Sequence, residues 1–510
     1  MTLEFPRSTL ARLVLIAFLA VLVQGYHLGV DDAEIYVPAI KHAADPSLYP
    51  FGSEFFMSHA RWSLFPELVG VSARLTHLPI DFVIFSWQVA CIFLLLLASW
   101  QLLSACFTNS AARWSGVALL AGTLSVPVAG TALVIMDPYL TARSLSTPAT
   151  IFAIACWVSN RRMQAGAWLI LTVLVHPQMG VYGAVFIGCL WLSDHWSRGR
   201  LPLHENADVD AEAVPVLTLL AGLPFLFQLQ PDRGAAREAL LSRAYFFVSN
   251  WAWYEWIGVF APLAMVWWWS SVRLHGTTPV FRSLLRTLVP FGLLFTVAGL
   301  VLASSRQLEN FARLQPMRAF HLIYVIFFAM LGGLMGEYVL RRNTWRWRAV
   351  FVPLAGSMCL LQFCQFPSSA HVEWPGYGYH NCWNSAFFWI RQHTPTDAVF
   401  ALDPNYMKIE GEDQHGFRAV AERSALADAV KDSGAVSLFP HLADHWKRQV
   451  DAQHGWERFD RRDFEHLAKL YPVTWVLLRS PGPAGLMCPY QNEGLSVCRI
   501  DVRGPASPVD

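Results

Sequence analysis

The sequence predicts a mainly α-helical, polytopic transmembrane helix bundle followed by a small extracytoplasmic α/β domain, and three observations carry that prediction. Hydrophobic residues make up 54% of the 510 positions and charged ones 15%, too apolar a balance for a soluble chain of this size. The apolar residues cluster in long runs, as a hydrocarbon layer roughly 30 Å thick requires of any helix crossing it. After Phe366-Pro367 the runs stop and polar, charged sequence continues to the end. A formal net charge of +1 offers no electrostatic footprint for nucleic acid, and no phosphate-cradling glycine loop or dinucleotide fingerprint is present.

Arg7 and Arg12 precede the apolar run Leu13 to Val23, which ends in Val21-Leu22-Val23-Gln24-Gly25, a poor small-residue cleavage site. An uncleaved first span with a cytoplasmic N-terminus is therefore expected. Residues 26–79 form a long first loop whose amphipathic pieces, Glu34 to Ala44 and Trp62 to Leu75, are separated by Asp45-Pro46 and Tyr49-Pro50. Its aromatic residues, Tyr36, Tyr49, Phe55, Phe56 and Trp62, suit helices lying in the membrane interface. Further apolar segments run over 80–104, 115–136, 145–160, 163–176, 177–192, 213–229, 256–271, 286–303, 318–338 and 349–365. That makes about eleven spans, and the two on either side of Pro177 are short enough to be a re-entrant pair or one kinked helix.

Arg161-Arg162, Arg198 with Arg200, the Arg273/Arg282/Arg286 group and the run Arg341 to Arg348 fall on alternate loops. By the excess of Lys and Arg on the cytoplasmic side, these loops are inside and the C-terminal region is outside. The chain then divides into a transmembrane domain, 1–370, and an extracytoplasmic domain, 371–510, of a plasma (inner) membrane protein. In that second domain Ala398 to Leu402 and Val473 to Leu478 have strand character, and Phe417 to Val430 and Phe459 to Leu470 have helical character. Cys488 and Cys498 bracket a hairpin at Pro489 to Gly494; they are either bridged or free thiols, since spacing does not fix connectivity.

The stretch Gly29-Val30-Asp31-Asp32-Ala33-Glu34-Ile35-Tyr36 puts carboxylates where a membrane helix surfaces, and an ionised Asp there needs water or a partner. Asp31 with Glu34 has the spacing of a capping box, worth about 1 kcal/mol to the next helix. The same pair, Asp31 and Asp32, could serve as a general base toward a hydroxyl, or hold a divalent cation with oxygen ligands. Such a cation is the only cofactor the sequence raises. Asp137 and Arg143 share the next outer loop, where Asp137 can cap a turn and Arg143 can snorkel or grip a phosphate. His176 and Gln178 flank Pro177 in a broken apolar stretch, and breaks of that kind are tolerated where they line a cavity. Among Arg306, Arg313 and Arg318, the last opens a span and is the best placed to meet an anionic headgroup. His441 and His445 share a helical face, but without further assignable ligands they are expected to be surface histidines.

An acidic pair just after the first span, a long first outer loop, many short spans and a polar extracytoplasmic C-terminal domain together resemble the C-type glycosyltransferase superfamily (GT-C fold). Trp389-Ile390-Arg391-Gln392-His393-Thr394-Pro395-Thr396-Asp397-Ala398-Val399-Phe400 is similar to the segment with which uncharacterised members begin their outer domain. The resemblance implies transfer of a sugar from a polyprenyl-phosphate donor to an extracytoplasmic acceptor, with Asp31 or Asp32 near that acceptor. No Trp-Trp-Asp signature is present, which disfavours peptide glycosylation. Two other functions fit the same sequence: a transporter or flippase for an anionic or lipid-linked solute, using the break at Pro177 as a midplane site, and a non-catalytic membrane scaffold. Membrane lipids are partners under each.

Overall fold

The computed structural model describes residues 7–197, 232–377 and 381–500. The span expected at 213–229, the basic residues Arg198 and Arg200, and His380 lie outside the described residues. Five of the described helical stretches are long and apolar enough to cross a membrane: Arg7–Gln24, Ile80–Cys106, Pro279–Leu302, Glu309–Leu340 and Thr344–Gln365. The protein is thus a multi-pass integral membrane protein. Further helices, Ala142–Val158, Arg162–Val175, Pro177–Ser197 and Trp253–Ser271, pack among them.

Close helix contact in the bundle relies on small residues. A Cβ added at Gly332 would lie 2.8 Å from the Cα of Gly116, and one at Gly336 would lie 2.6 Å from the carbonyl oxygen of Ala111. Helix Ser110–Gly122 therefore packs backbone to backbone against Phe320–Met335, as small residues four apart allow in membranes.

The apolar run 115–136 is not one span. Its helix stops at Gly122, and the chain turns back through an isolated bridge between Pro127 and Val134. Pro127 lacks an amide hydrogen, Ala129 and Ala132 adopt positive φ, and a side chain at Gly130 would strike the Trp251 ring at 2.5 Å. Irregular backbone at this depth is tolerable because Val128, Leu133 and Ile135 are buried in protein. The stretch around Pro177 resolves into two helices meeting at an extended His176. The first loop satisfies the end of the first of them: Leu64 N–H donates to the Leu174 carbonyl at 2.8 Å, and Ser63 Oγ donates to that of Val175.

In the C-terminal domain a five-stranded sheet has the order β2-β1-β3-β5-β4, with β1 Val399–Ala401, β2 Ser424–Ala425, β3 Trp475–Arg479, β4 Met487–Gln491 and β5 Leu495–Arg499. β1 runs parallel to β2 and β3, while β5 is antiparallel to both β3 and β4. Cys488 and Cys498 are disulfide-bonded across the last hairpin. The helix expected over Phe417 to Val430 is instead a short one, Phe417–Ala421, followed by β2. Burial decides this, because Ala425, on the edge strand, is buried where it pairs with Phe400 of β1.

This domain docks on the first loop through main-chain pairing. Asp31 N–H donates to the Gln414 carbonyl, Gly416 N–H to that of Gly29, and Glu373 N–H to that of Tyr26. Glu34, expected to close a capping box on Asp31, is turned elsewhere: it accepts the N–H groups of Arg418 and Ala419, each at 3.0 Å. Asp32 occupies the helix-capping position without a side-chain cap. The Arg418 guanidinium, 2% exposed, lies between Glu34 and Asp432, bonding the latter at 3.0 and 2.7 Å. A second buried cluster ties Lys41 and Asp81 of the membrane domain to Arg391 and Glu422.

Replacing Arg418 by Met strands two buried carboxylates, so a loss of about 3–5 kcal/mol is expected, read as domain release in limited proteolysis. Glu373, buried against Leu28 N–H and Asn384, gives a pH effect. Burial, with Asp413 adding, raises its carboxyl from 4.5 to about 7 against those hydrogen bonds. A raised acid binds its proton more tightly when folded, so its contribution to docking is full below pH 4.5 and is lost as pH climbs toward about 7. Protease cutting of the joint should increase over that window in the wild type, and Glu373→Gln should remove that increase.

Candidate functional site

The acidic pair owes its geometry to the seam between the two domains. Pairing with Gln414 holds Asp31 at φ +53°, a left-handed conformation that Asp tolerates better than most residues. Asp31 Oδ2 accepts the Tyr139 hydroxyl at 3.0 Å and Oδ1 contacts Lys431 Nζ. Asp32, opening helix Ala33–Ala44, has Oδ1 3.3 Å from the same ammonium and Oδ2 3.4 Å from the Arg143 guanidinium.

Arg143 lies in the first turn of helix Ala142–Val158 and is buried. Its Nε and terminal nitrogen both donate to Asp137 Oδ2, at 3.2 and 2.8 Å, and the Thr141 hydroxyl donates to the same oxygen at 3.1 Å. Asp137 is thereby committed to orienting Arg143, with the guanidinium 5.9 Å from the Tyr36 ring.

Arg318, in the short turn Pro316–Ala319, lies within electrostatic reach of Asp32. Its guanidinium stacks on Tyr245 at 5.6 Å, its Nε has no hydrogen-bond partner, and it has no carboxylate partner among the described residues. Gln178 anchors the turn before it: Nε2 donates to the Leu314 carbonyl at 2.9 Å, and the Tyr182 hydroxyl donates to the Gln315 carbonyl at 2.8 Å. Gln178 thus supports Arg318 from behind. Arg313, by contrast, is spent on buried Asp232.

Two imidazoles border this cluster. His59, from helix Glu54–Ala60, is lowered by burial to about 4, Arg318 and Arg143 adding to the shift against the pull of Asp32. It is neutral near pH 7. His176 presents a ring whose Nδ1 has no partner.

Burial would raise the Asp32 carboxyl, but Lys431, Arg143 and Arg318 together outweigh it and hold Asp32 well below the usual carboxylate range. Burial lowers Lys431, yet Asp31 and Asp32 more than reverse that, so the ammonium persists. Three of the acidic pair's four oxygens already face an ammonium or a guanidinium, and no group of three or more His, Cys, Asp or Glu converges on one point among the described residues.

The sequence-selected residues Asp31, Asp32, Asp137 and Arg143 form one chain of hydrogen bonds and ion pairs, with Arg318 and His176 at its margin and Gln178 behind. Lys431, Tyr139 and His59 were not selected. A tyrosine one residue beyond Asp137-Pro138 was the available signal for Tyr139; a lone lysine in a polar domain offered none for Lys431.

No family model matches the chain, and no curated protein matches it in sequence. Among solved structures, the chain is similar to ArnT. That crystal structure is of ArnT from Cupriavidus metallidurans bound to undecaprenyl phosphate. The match has 12% identity and a TM-score of 0.41, covering 98% of this chain and 99% of that one.

Arg143→Ala should cost roughly 3–5 kcal/mol, because buried Asp137 loses its cation. Arg143→Lys should cost less, since a lysine keeps the charge but not the two-pronged grip. Thermal unfolding in detergent would show the two variants in that order.

Proposed function

We propose that this protein is an integral-membrane glycosyltransferase that moves a sugar from a polyprenyl-phosphate donor to an extracytoplasmic acceptor. One observation carries the reading: an ionised, partly exposed Asp32 stands beside Arg143 and faces Arg318, a cation with no carboxylate partner among the described residues. A carboxylate beside guanidinium groups can serve a hydroxyl and a phosphate in the same step. Asp32 accepts the proton of the acceptor hydroxyl, whose oxygen bonds to the anomeric carbon as the bond from that carbon to the phosphate oxygen breaks. The electron pair leaves with the lipid phosphate, where Arg318 and Arg143 meet the added charge, and the anomeric configuration inverts. Stabilising such a leaving group is commonly the larger part of the catalysis. His176 and His59, both within electrostatic reach of the arginines, suit sugar hydroxyls. No step uses a metal.

The basic residues at the opposite end of the bundle support a cytoplasmic N-terminus and an extracytoplasmic C-terminal domain in the plasma (inner) membrane. Helix Thr344–Gln365, preceded by Arg341, Arg342, Arg346 and Arg348 in and around its first turn, leads directly into that domain.

The test is a mass-spectrometric comparison of polyprenyl-phosphate sugars in membranes with the protein, without it, and with Asp32→Asn at equal expression. The expected result is accumulation of one glycolipid in both the null and the variant. No change in either would contradict the reading and favour transport or scaffolding.

A further inference from the structure

Two neighbouring carboxylates in one pocket repel, and one of them ordinarily keeps its proton unless a cation lies between them. Here that cation comes from the other domain. Lys431 begins helix Lys431–Leu438, and three contacts fix its position. Asp428 Oδ1 accepts the N–H groups of Val430 and Lys431, each at 2.6 Å. Arg418 grips Asp432 on the next residue. Arg243, from the membrane domain, donates to the Val430 carbonyl and, at 2.6 Å, to the Ser433 hydroxyl. The ammonium is consequently held with only 7% exposure between Asp31 and Asp32.

The pair is faced from every side by charged or titratable groups. Tyr139 bonds Asp31, Arg143 contacts Asp32 with Asp137 behind it, and Arg318, Tyr36 and His59 lie within electrostatic reach. Lys431 faces Asp31, Asp32 and Arg243.

We propose that Lys431 is a positioning residue for the transfer reaction: supplied by the C-terminal domain, it pins Asp31 and leaves Asp32 as the charged base facing the acceptor. The inference rests on the glycosyltransferase reading and divides the acidic pair into two roles. Asp31 is tied twice, by Lys431 and the Tyr139 hydroxyl, so both its oxygens are engaged. Asp32 is held more loosely, at 3.3 and 3.4 Å, with its side chain 31% exposed against 42% for Asp31. Neither of its oxygens has a cation closer than 3.3 Å, which leaves lone pairs to take a proton.

The experiment needs no substrate. Dicyclohexylcarbodiimide reacts with protonated carboxyl groups and spares carboxylates, so labelling of Asp31 and Asp32 in the full-length membrane-embedded protein, mapped by mass spectrometry against pH, reports their charge. Wild type and Lys431→Arg are expected to resist labelling across pH ~5 to ~8, while in Lys431→Met the half-labelling pH should rise by at least about one unit, a tenfold change in proton affinity. Adding Asp31→Asn to Lys431→Met should return Asp32 to wild-type resistance, which a merely disrupted fold would not do. Equal labelling of Lys431→Met and wild type, or failure of both Lys431→Arg and the double variant to restore resistance, would overturn the proposal. The glycolipid comparison fails separately: a pool unaffected by Asp32→Asn would remove the transferase reading while the labelling pattern stood.

Discussion

The architecture depends on one buried guanidinium. Arg418 lies between Glu34 of the first loop and Asp432 of the C-terminal domain, and all three side chains are almost fully removed from water. Charges in that position are costly unless each is matched, so the two domains are fixed in the one arrangement that matches them. The residues that face the proposed reaction are close neighbours of this triad in sequence. Asp31 and Asp32 lie just before Glu34, and Lys431 just before Asp432. Docking of the C-terminal domain therefore also brings Lys431 to the acidic pair.

This arrangement answers the problem posed by an acidic pair at the end of a membrane helix. Arg143 matches it from the membrane domain and Lys431 from the C-terminal domain, and together with Arg318 they hold the Asp32 carboxyl well below the usual carboxylate range. Arg318 is a cation near Asp32 with no carboxylate partner among the described residues, and Gln178 with Tyr182 bonds the carbonyls of the turn before it. Under the proposed function, an anionic headgroup would supply its partner.

What the sequence revealed follows from the range of each interaction. Burial in hydrocarbon acts on whole runs, so Ile80–Cys106 and Pro279–Leu302 were legible from apolar length alone, and the polar domain was legible from the change after Phe366. The break at Gly122 was not, because Pro127 and Gly130 act through close contacts with the rest of the bundle rather than through composition. Asp31 and Asp32 stood out as charges in an apolar setting, but the capping box expected between Asp31 and Glu34 does not form, because Glu34 bonds the Arg418 and Ala419 amides and Asp32 takes the capping position. Lys431 was illegible for a simpler reason: it meets Asp31 across 400 residues of chain, and nothing local distinguishes it from a surface lysine.

The most direct test of the account is an experimental map of the full-length protein in a lipid bilayer with a polyprenyl phosphate bound. The account predicts the phosphate within hydrogen-bond reach of both Arg318 and Arg143, beside Asp32, with Lys431 inserted between the two carboxylates. A phosphate seated away from both arginines, or a Lys431 turned to solvent in the docked protein, would contradict it.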